Sequence, residues 1–134
     1  INSAITGLQR VSDRIAMVQQ PADFADHPDI KHINDTAEKM ASFRKEVDAL
    51  TQVILHKKPE LDKTIESVVE NYKPERIDPV DRAILRLGTY EILLNEEIPP
   101  PVTINECIEI SRRFGSNESS RFINGVLDKI AKSE

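Results

Sequence analysis

From Asp78 to Leu127 the apolar residues recur every three or four positions. Each break in that rhythm falls at a residue type that starts or stops a helix. Asp78 is placed to cap a helix, because its carboxylate can accept hydrogen bonds from the first unpaired backbone N–H groups. Pro79 then takes the first helical position, where its missing N–H costs nothing, and Asp81 adds negative charge in the first turn. Val80, Ile84, Leu87, Tyr90 and Leu94 share one face, and Leu85, Ile92 and Leu93 widen it towards a deeply packed helix. Pro99-Pro100-Pro101 must end that helix. Thr103 with Glu106 three residues on predicts a capping box opening the next one, with Ile104, Cys107, Ile108 and Ile110 facing inward. Gly115 stands where a left-handed C-terminal cap belongs, and Ser116 is the expected cap of a last helix carrying Phe122, Ile123, Val126, Leu127 and Ile130.

The rest of the chain has the same character. Ile5, Leu8, Val11, Ile15 and Val18 predict a helix that Pro21 stops at about Gln20. Pro21 to Ile33 reads as a loop. Asp35 with Glu38 predicts the next start, followed by Met40, Phe43, Val47, Leu50 and Ile54. That helix is expected to fade at His56-Lys57-Lys58, and Pro59 to begin another, with Leu61, Ile65, Val68 and Tyr72 on its face and Pro74 at its end. The expectation is an all-α chain, one domain over residues 1–134, with subdomains of about 1–58 and 59–134 sharing a core. The chain opens on Ile1 rather than Met, which leaves two readings open: a native beginning upstream of Ile1, or a divergent first helix.

Composition narrows the function classes. With 39% apolar and 31% charged residues this is the balance of a globular domain, and no apolar run approaches the roughly eighteen residues that span a bilayer. No membrane association is predicted. The single cysteine, Cys107, cannot form an internal disulfide and reads as a small buried hydrophobe rather than a nucleophile, in keeping with a reducing compartment. Gly7, Gly88, Gly115 and Gly125 are isolated, so no phosphate-binding loop is written here. His27 and His32 lack the four-residue spacing of a helical ligand pair, and as an acid–base pair Glu106 and Glu109 are a poor fit, since Glu106 is expected to cap a helix and Glu109 reads as a surface position. No catalysis, metal or cofactor is predicted.

Binding has more to rest on. Arg113-Phe114-Gly115 and Arg121-Phe122-Ile123-Asn124-Gly125, with Arg112 and Lys129, interleave cations, rings and an amide. Those are the groups that neutralise phosphate, stack on a base and read its edge in single-stranded RNA. Arg10 and Arg14, four apart, share a helix face; so do Arg82 and Arg86, expected to pair with Asp78, Asp81 or Glu91. The net charge of −5 is unlike that of an autonomous nucleic-acid binder, so RNA binding would need a local basic patch or a partner.

The strings VDRAILRLGTYEIL and IPPPVTINECIEISRRFGSNESSRFINGVLDKI closely resemble the C-terminal part of the transcription antitermination factor NusB family. The resemblance implies a fold of two small three-helix bundles sharing one core, with six to seven helices. It implies binding to the boxA element of ribosomal RNA leader transcripts as a heterodimer with NusE, a small-subunit ribosomal protein, for delivery to RNA polymerase in the cytoplasm. An acidic face would meet the basic partner, and Glu75, Asp81 and Glu118 are the matching positions. The RNA-binding candidates are Arg10 and Arg14, where the family carries an arginine-rich segment, with Arg113, Arg121, Phe122, Asn124 and Lys129. Homodimers occur in parts of the family. Two other roles fit the resemblance: an accessory domain of an rRNA methyltransferase system, and a helical scaffold that has lost RNA binding. The ending at Glu134, just past the last helix, favours the free-standing factor over the first of these.

Overall fold

The computed structural model describes residues 1–134 except the side chain of Pro21. Among the described residues it is helical throughout: α1 (Asn2–Gln19), α2 (Pro28–Val68), α3 (Pro79–Leu94), α4 (Pro100–Phe114) and α5 (Ser119–Lys132), with 3-10 turns at Pro21–Phe24 and Pro74–Arg76. The chain divides into two units, Ile1–Ala49 and Leu50–Glu134, and the division falls within α2.

Five α-helices replace the six to seven expected, because α2 is longer than its punctuation suggests. Pro59 lies inside it rather than at the start of a new helix. The reason is phase. Met40, Phe43, Val47, Leu50 and Ile54 continue in register into Leu61, Ile65 and Val68 with Lys57 filling the intermediate step, so one helix serves both apolar faces. An interior proline costs about 3 kcal/mol in a helix, a penalty that tertiary packing can outweigh. The expected loop at 21–33 is likewise partly helical. Its first proline heads the 3-10 turn and Pro28 opens α2, so Asp35 lies within the helix and caps nothing. At the other end α2 stops at Val68, well before Pro74, and Asn71 makes the turn with φ 55°, a left-handed geometry that Asn tolerates.

In the first unit the buried apolar residues are Met17 and Ile30. The expected apolar face of α1 is helical but not covered: Ile5, Leu8, Val11, Ile15 and Val18 are all more than half exposed. Met40, Phe43 and Val47 on α2 are also exposed. Spacing defines a face, whereas burial requires a second element to pack on it.

In the second unit α3, α4 and α5 pack pairwise on one another as a three-helix bundle. Its core takes Ile65 from α2, Ile84 and Leu85 from α3, Ile104 and Cys107 from α4, and Ile123, Val126, Leu127 and Ile130 from α5. The start of α3 is as expected: Asp78 accepts a 2.8 Å hydrogen bond from the Val80 N–H, and Pro79 follows. The starts of α4 and α5 are not. Helix α4 begins at Pro100, capped by the backbone of Pro99, because the first helical positions need no N–H partner and proline presets their φ. Thr103 therefore lies inside the helix, fully buried, and the capping box with Glu106 does not form. Gly115 is extended (φ −95°, ψ −176°) rather than left-handed. It is glycine for space: a Cβ there would lie 2.6 Å from Ser119 Oγ and 2.8 Å from the Ser111 carbonyl oxygen. Glu118, not Ser116, precedes α5, and the Ser116 N–H donates instead to Ser119 Oγ at 2.9 Å.

Candidate nucleic-acid and partner interface

Helix α5 buries Ser119, Ile123, Val126, Leu127 and Ile130. The 3.6-residue repeat then turns Arg121, Gly125 and Lys132 outward, with Asn124 and Lys129 exposed on the flanks and Phe122 half-buried. Asp128 accepts from Lys132 at 2.7 Å and so neutralises that cation. Arg121 and Lys129 make no ion pair within the described residues, which leaves their charge available to an anion. An open recess of about 590 Å³ at the start of α5 is lined by Asn117, Glu118, Arg121 and Phe122. It thus brings one partner-binding candidate, Glu118, beside two RNA-binding candidates.

Arg113 and the largely exposed Phe114 end α4, just across the Gly115 turn. Arg112 differs, for its Nη1 donates to Glu109 Oε1 at 2.6 Å. Serine hydroxyls hold the turn. Ser111 Oγ donates to the Ile108 carbonyl at 2.7 Å and shares a 2.9 Å bond with Ser120 Oγ, while Ser116 Oγ lies 3.1 Å from Ser119 Oγ. These contacts set the geometry between the Arg113–Phe114 end of α4 and the Arg121–Phe122 start of α5. Of these serines only Ser116 carries an expected role, as a helix cap, and charge and aromatic patterning point to none of them. Their signal is present: serine at 111, 116, 119 and 120, around a glycine.

Arg10 and Arg14 lie in the first unit, on α1. With Asp13, Met17, His27 and Asp29 they line a recess of about 270 Å³. His27 Nδ1 accepts from the Asp29 N–H at 3.2 Å and sits 4.0 Å from its carboxylate. No group of His, Cys, Asp and Glu suited to a metal ion occurs among the described residues.

The three acidic candidates have different surroundings. Glu75 is exposed on the 3-10 turn and Glu118 is exposed before α5. Asp81 is only 7% exposed, and its Oδ1 has no hydrogen-bond partner. The arginines next to it do not pair as expected. Arg82 Nη1 donates to the Pro74 carbonyl at 2.7 Å. Arg86 reaches back to α2 in a bidentate pair, Nε to Asp62 Oδ1 at 2.8 Å and Nη2 to Asp62 Oδ2 at 2.9 Å. Asp62, 24 residues away in sequence, supplies both oxygens of a planar fork that the local carboxylates do not offer.

Cys107 is buried in the core, as expected of a small hydrophobe. Its thiol is pushed up to about 12, first by desolvation and then by the nearby charges of Glu91 and Glu106. No helix among the described residues is long and apolar enough to cross a membrane.

Fold and surface together define an all-helical protein that presents cations, a ring and an amide on the outer side of a packed bundle. A model of the NusB family matches residues 4–132, and the chain belongs to that family. It is 40% identical over 105 residues to the transcription antitermination protein NusB of Pseudothermotoga lettingae, covering 78% of this chain and 72% of that protein. It is 46% identical over 86 residues to the protein of the same name from Desulfitobacterium hafniense, covering 64% and 58%. The Bacillus velezensis protein of that name matches at 38% over 109 residues, 81% of each chain. Among solved structures, T. maritima NusB aligns with a TM-score of 0.66 at 33% identity, over 89% of this chain and 84% of that one.

Proposed function

We propose that this chain is a non-catalytic transcription antitermination factor. It binds boxA-type RNA of ribosomal RNA leader transcripts as a heterodimer with NusE and helps RNA polymerase resist termination. The observation that carries the reading is the outward row on α5 in a chain whose relatives are antitermination proteins: Arg121 and Lys129 carry unpaired positive charge beside Phe122 and Asn124. Cations hold phosphates, the half-buried Phe122 offers a ring for stacking and Asn124 an amide for a base edge. Arg113 extends this surface, and Arg10 and Arg14 give a second basic site in the first unit. Glu75 and Glu118 are exposed carboxylates for a basic partner, and the net charge of −5 suits such a partner better than bare RNA. Asp81 completes the acidic set in sequence, but at 7% exposure in the first turn of α3 it offers a partner little surface.

The test is fluorescence anisotropy with a labelled boxA-type RNA and a scrambled control, with and without NusE, at two salt concentrations. Selective binding that tightens with NusE is expected. Arg121→Glu is expected to weaken it and to lower the slope of log affinity against log salt by about 0.7, the value of one lost phosphate contact on a single strand. Equal affinity for both RNAs, unmoved by NusE, would overturn the reading.

A further inference from the structure

Two of the glycines in this chain have a packing reason. At Gly88 a Cβ would sit 2.7 Å from Leu127 Cδ1 and 3.0 Å from Cys107 Sγ, and at Gly115 it would strike Ser119. Gly125 has none. It lies in the interior of α5, is exposed, and a Cβ built on it would meet nothing within 4 Å. Its φ is not positive, so the backbone does not demand glycine either. Glycine is nonetheless the poorest helix former after proline, so the fold alone favours almost any other residue here. What the bare position does is open a gap in a row. Arg121, Gly125 and Lys129 succeed one another at four-residue steps, placing two unpaired cations about 12 Å apart along the axis with naked backbone between them. Arg121 and Phe122 at one end also line the recess at the start of α5. Gly7 is likewise open, and it stands three and seven residues ahead of Arg10 and Arg14 on α1.

We propose that Gly125 is a contact position for single-stranded RNA: the strand lies directly on the α5 backbone there, its phosphates held by Arg121 and Lys129 on either side. Close approach of a ligand to main chain is what a missing Cβ permits. The inference rests on the RNA-binding reading above and deepens it. A side chain at 125 lifts the strand off the helix without removing any charge.

The experiment compares the full chain with Gly125→Ala, Gly125→Leu and Arg121→Glu, using the boxA-type RNA and NusE at two salt concentrations. Thermal melts by circular dichroism are run in parallel. Gly125→Ala is expected to melt higher than the parent, since alanine favours the helix and clashes with nothing, yet to bind RNA about fivefold more weakly. Gly125→Leu should lose more than tenfold. In both, the salt slope should stay that of the parent, because no phosphate contact is lost, whereas Arg121→Glu should flatten it. If Gly125→Ala and Gly125→Leu bind as the parent does while Arg121→Glu is weakened, this inference is wrong and the RNA-binding reading stands. If the parent shows no selective binding, or Arg121→Glu leaves it unchanged, the α5 surface itself is wrong and the inference falls with it.

Discussion

Replacing Arg86 by leucine should destabilise the second unit by about 2–3 kcal/mol. The guanidinium makes two charge-assisted bonds to Asp62, at 2.8 and 2.9 Å, and the side chains of the pair are 15% and 21% exposed. Removing one member of a fully buried pair costs about 3–5 kcal/mol, chiefly because the other charge is left without compensation. Residual solvent at this site lowers that figure towards the 1.5–3 kcal/mol of a hydrogen bond to a charged group. For a unit the size of Leu50–Glu134 the loss corresponds to roughly 11–17 °C in the melting midpoint. Asp62→Leu should cost a similar amount. The double variant, with neither charge, should recover most of the loss, giving a coupling of about 1.5 kcal/mol or more in the cycle. Urea unfolding followed by far-ultraviolet circular dichroism measures all four proteins. Tyr72 gives an independent readout. Its pKa is raised by burial first and by the Asp62 charge second, while Arg86 and Arg82 pull it down. Arg86→Leu should therefore drive the tyrosine titration higher, and Asp62→Leu should bring it lower, as followed by absorbance at alkaline pH. A single-variant loss under 0.5 kcal/mol, or additive losses in the double variant, would refute the view that this pair ties α2 to α3.

Three further outcomes follow from the core. The Cys107 thiol, lifted from its usual 9.0 to about 12, should resist a thiol reagent at pH 8 until the chain unfolds. Because its folded pKa is raised, its contribution to stability is full below about pH 9 and is lost as pH rises towards 12, so the parent should lose more stability across that window than Cys107→Ala; equal losses would show the thiol is not shielded. Gly88→Ala would put a methyl group 2.7 Å from Leu127 Cδ1, and overpacking of this kind costs about 1–3 kcal/mol. An unchanged urea midpoint would mean that Leu127 turns aside freely.

The candidate site was legible in its residue types more than in its arrangement. Arg121, Asn124 and Lys129 could be placed outside α5 from spacing alone, because the same spacing put Ile123, Val126, Leu127 and Ile130 inside. Asp81 could not be judged this way. It reads as a first-turn carboxylate, and only the packed structure shows it buried. Nor did spacing reveal the serine contacts across the α4–α5 turn, since Ser111 and Ser120 belong to different helices that meet only when folded.

By itself the sequence determined that the chain is helical, where α1, α3 and α5 lie to within a few residues, and which of their faces are apolar. The 3.6-residue repeat and the Asp78–Pro79 start are local properties of the backbone, so they survive without knowledge of neighbours. Tertiary structure alone decided the rest. It selected Asp62 as the partner of Arg86, enclosed Thr103 and Asp81, and left the apolar face of α1 exposed while burying that of α5. It also shows α2 running through Pro59. Each of these turns on groups distant in sequence or on competition between whole-helix packing and one local penalty, and neither is written in any short stretch of residues.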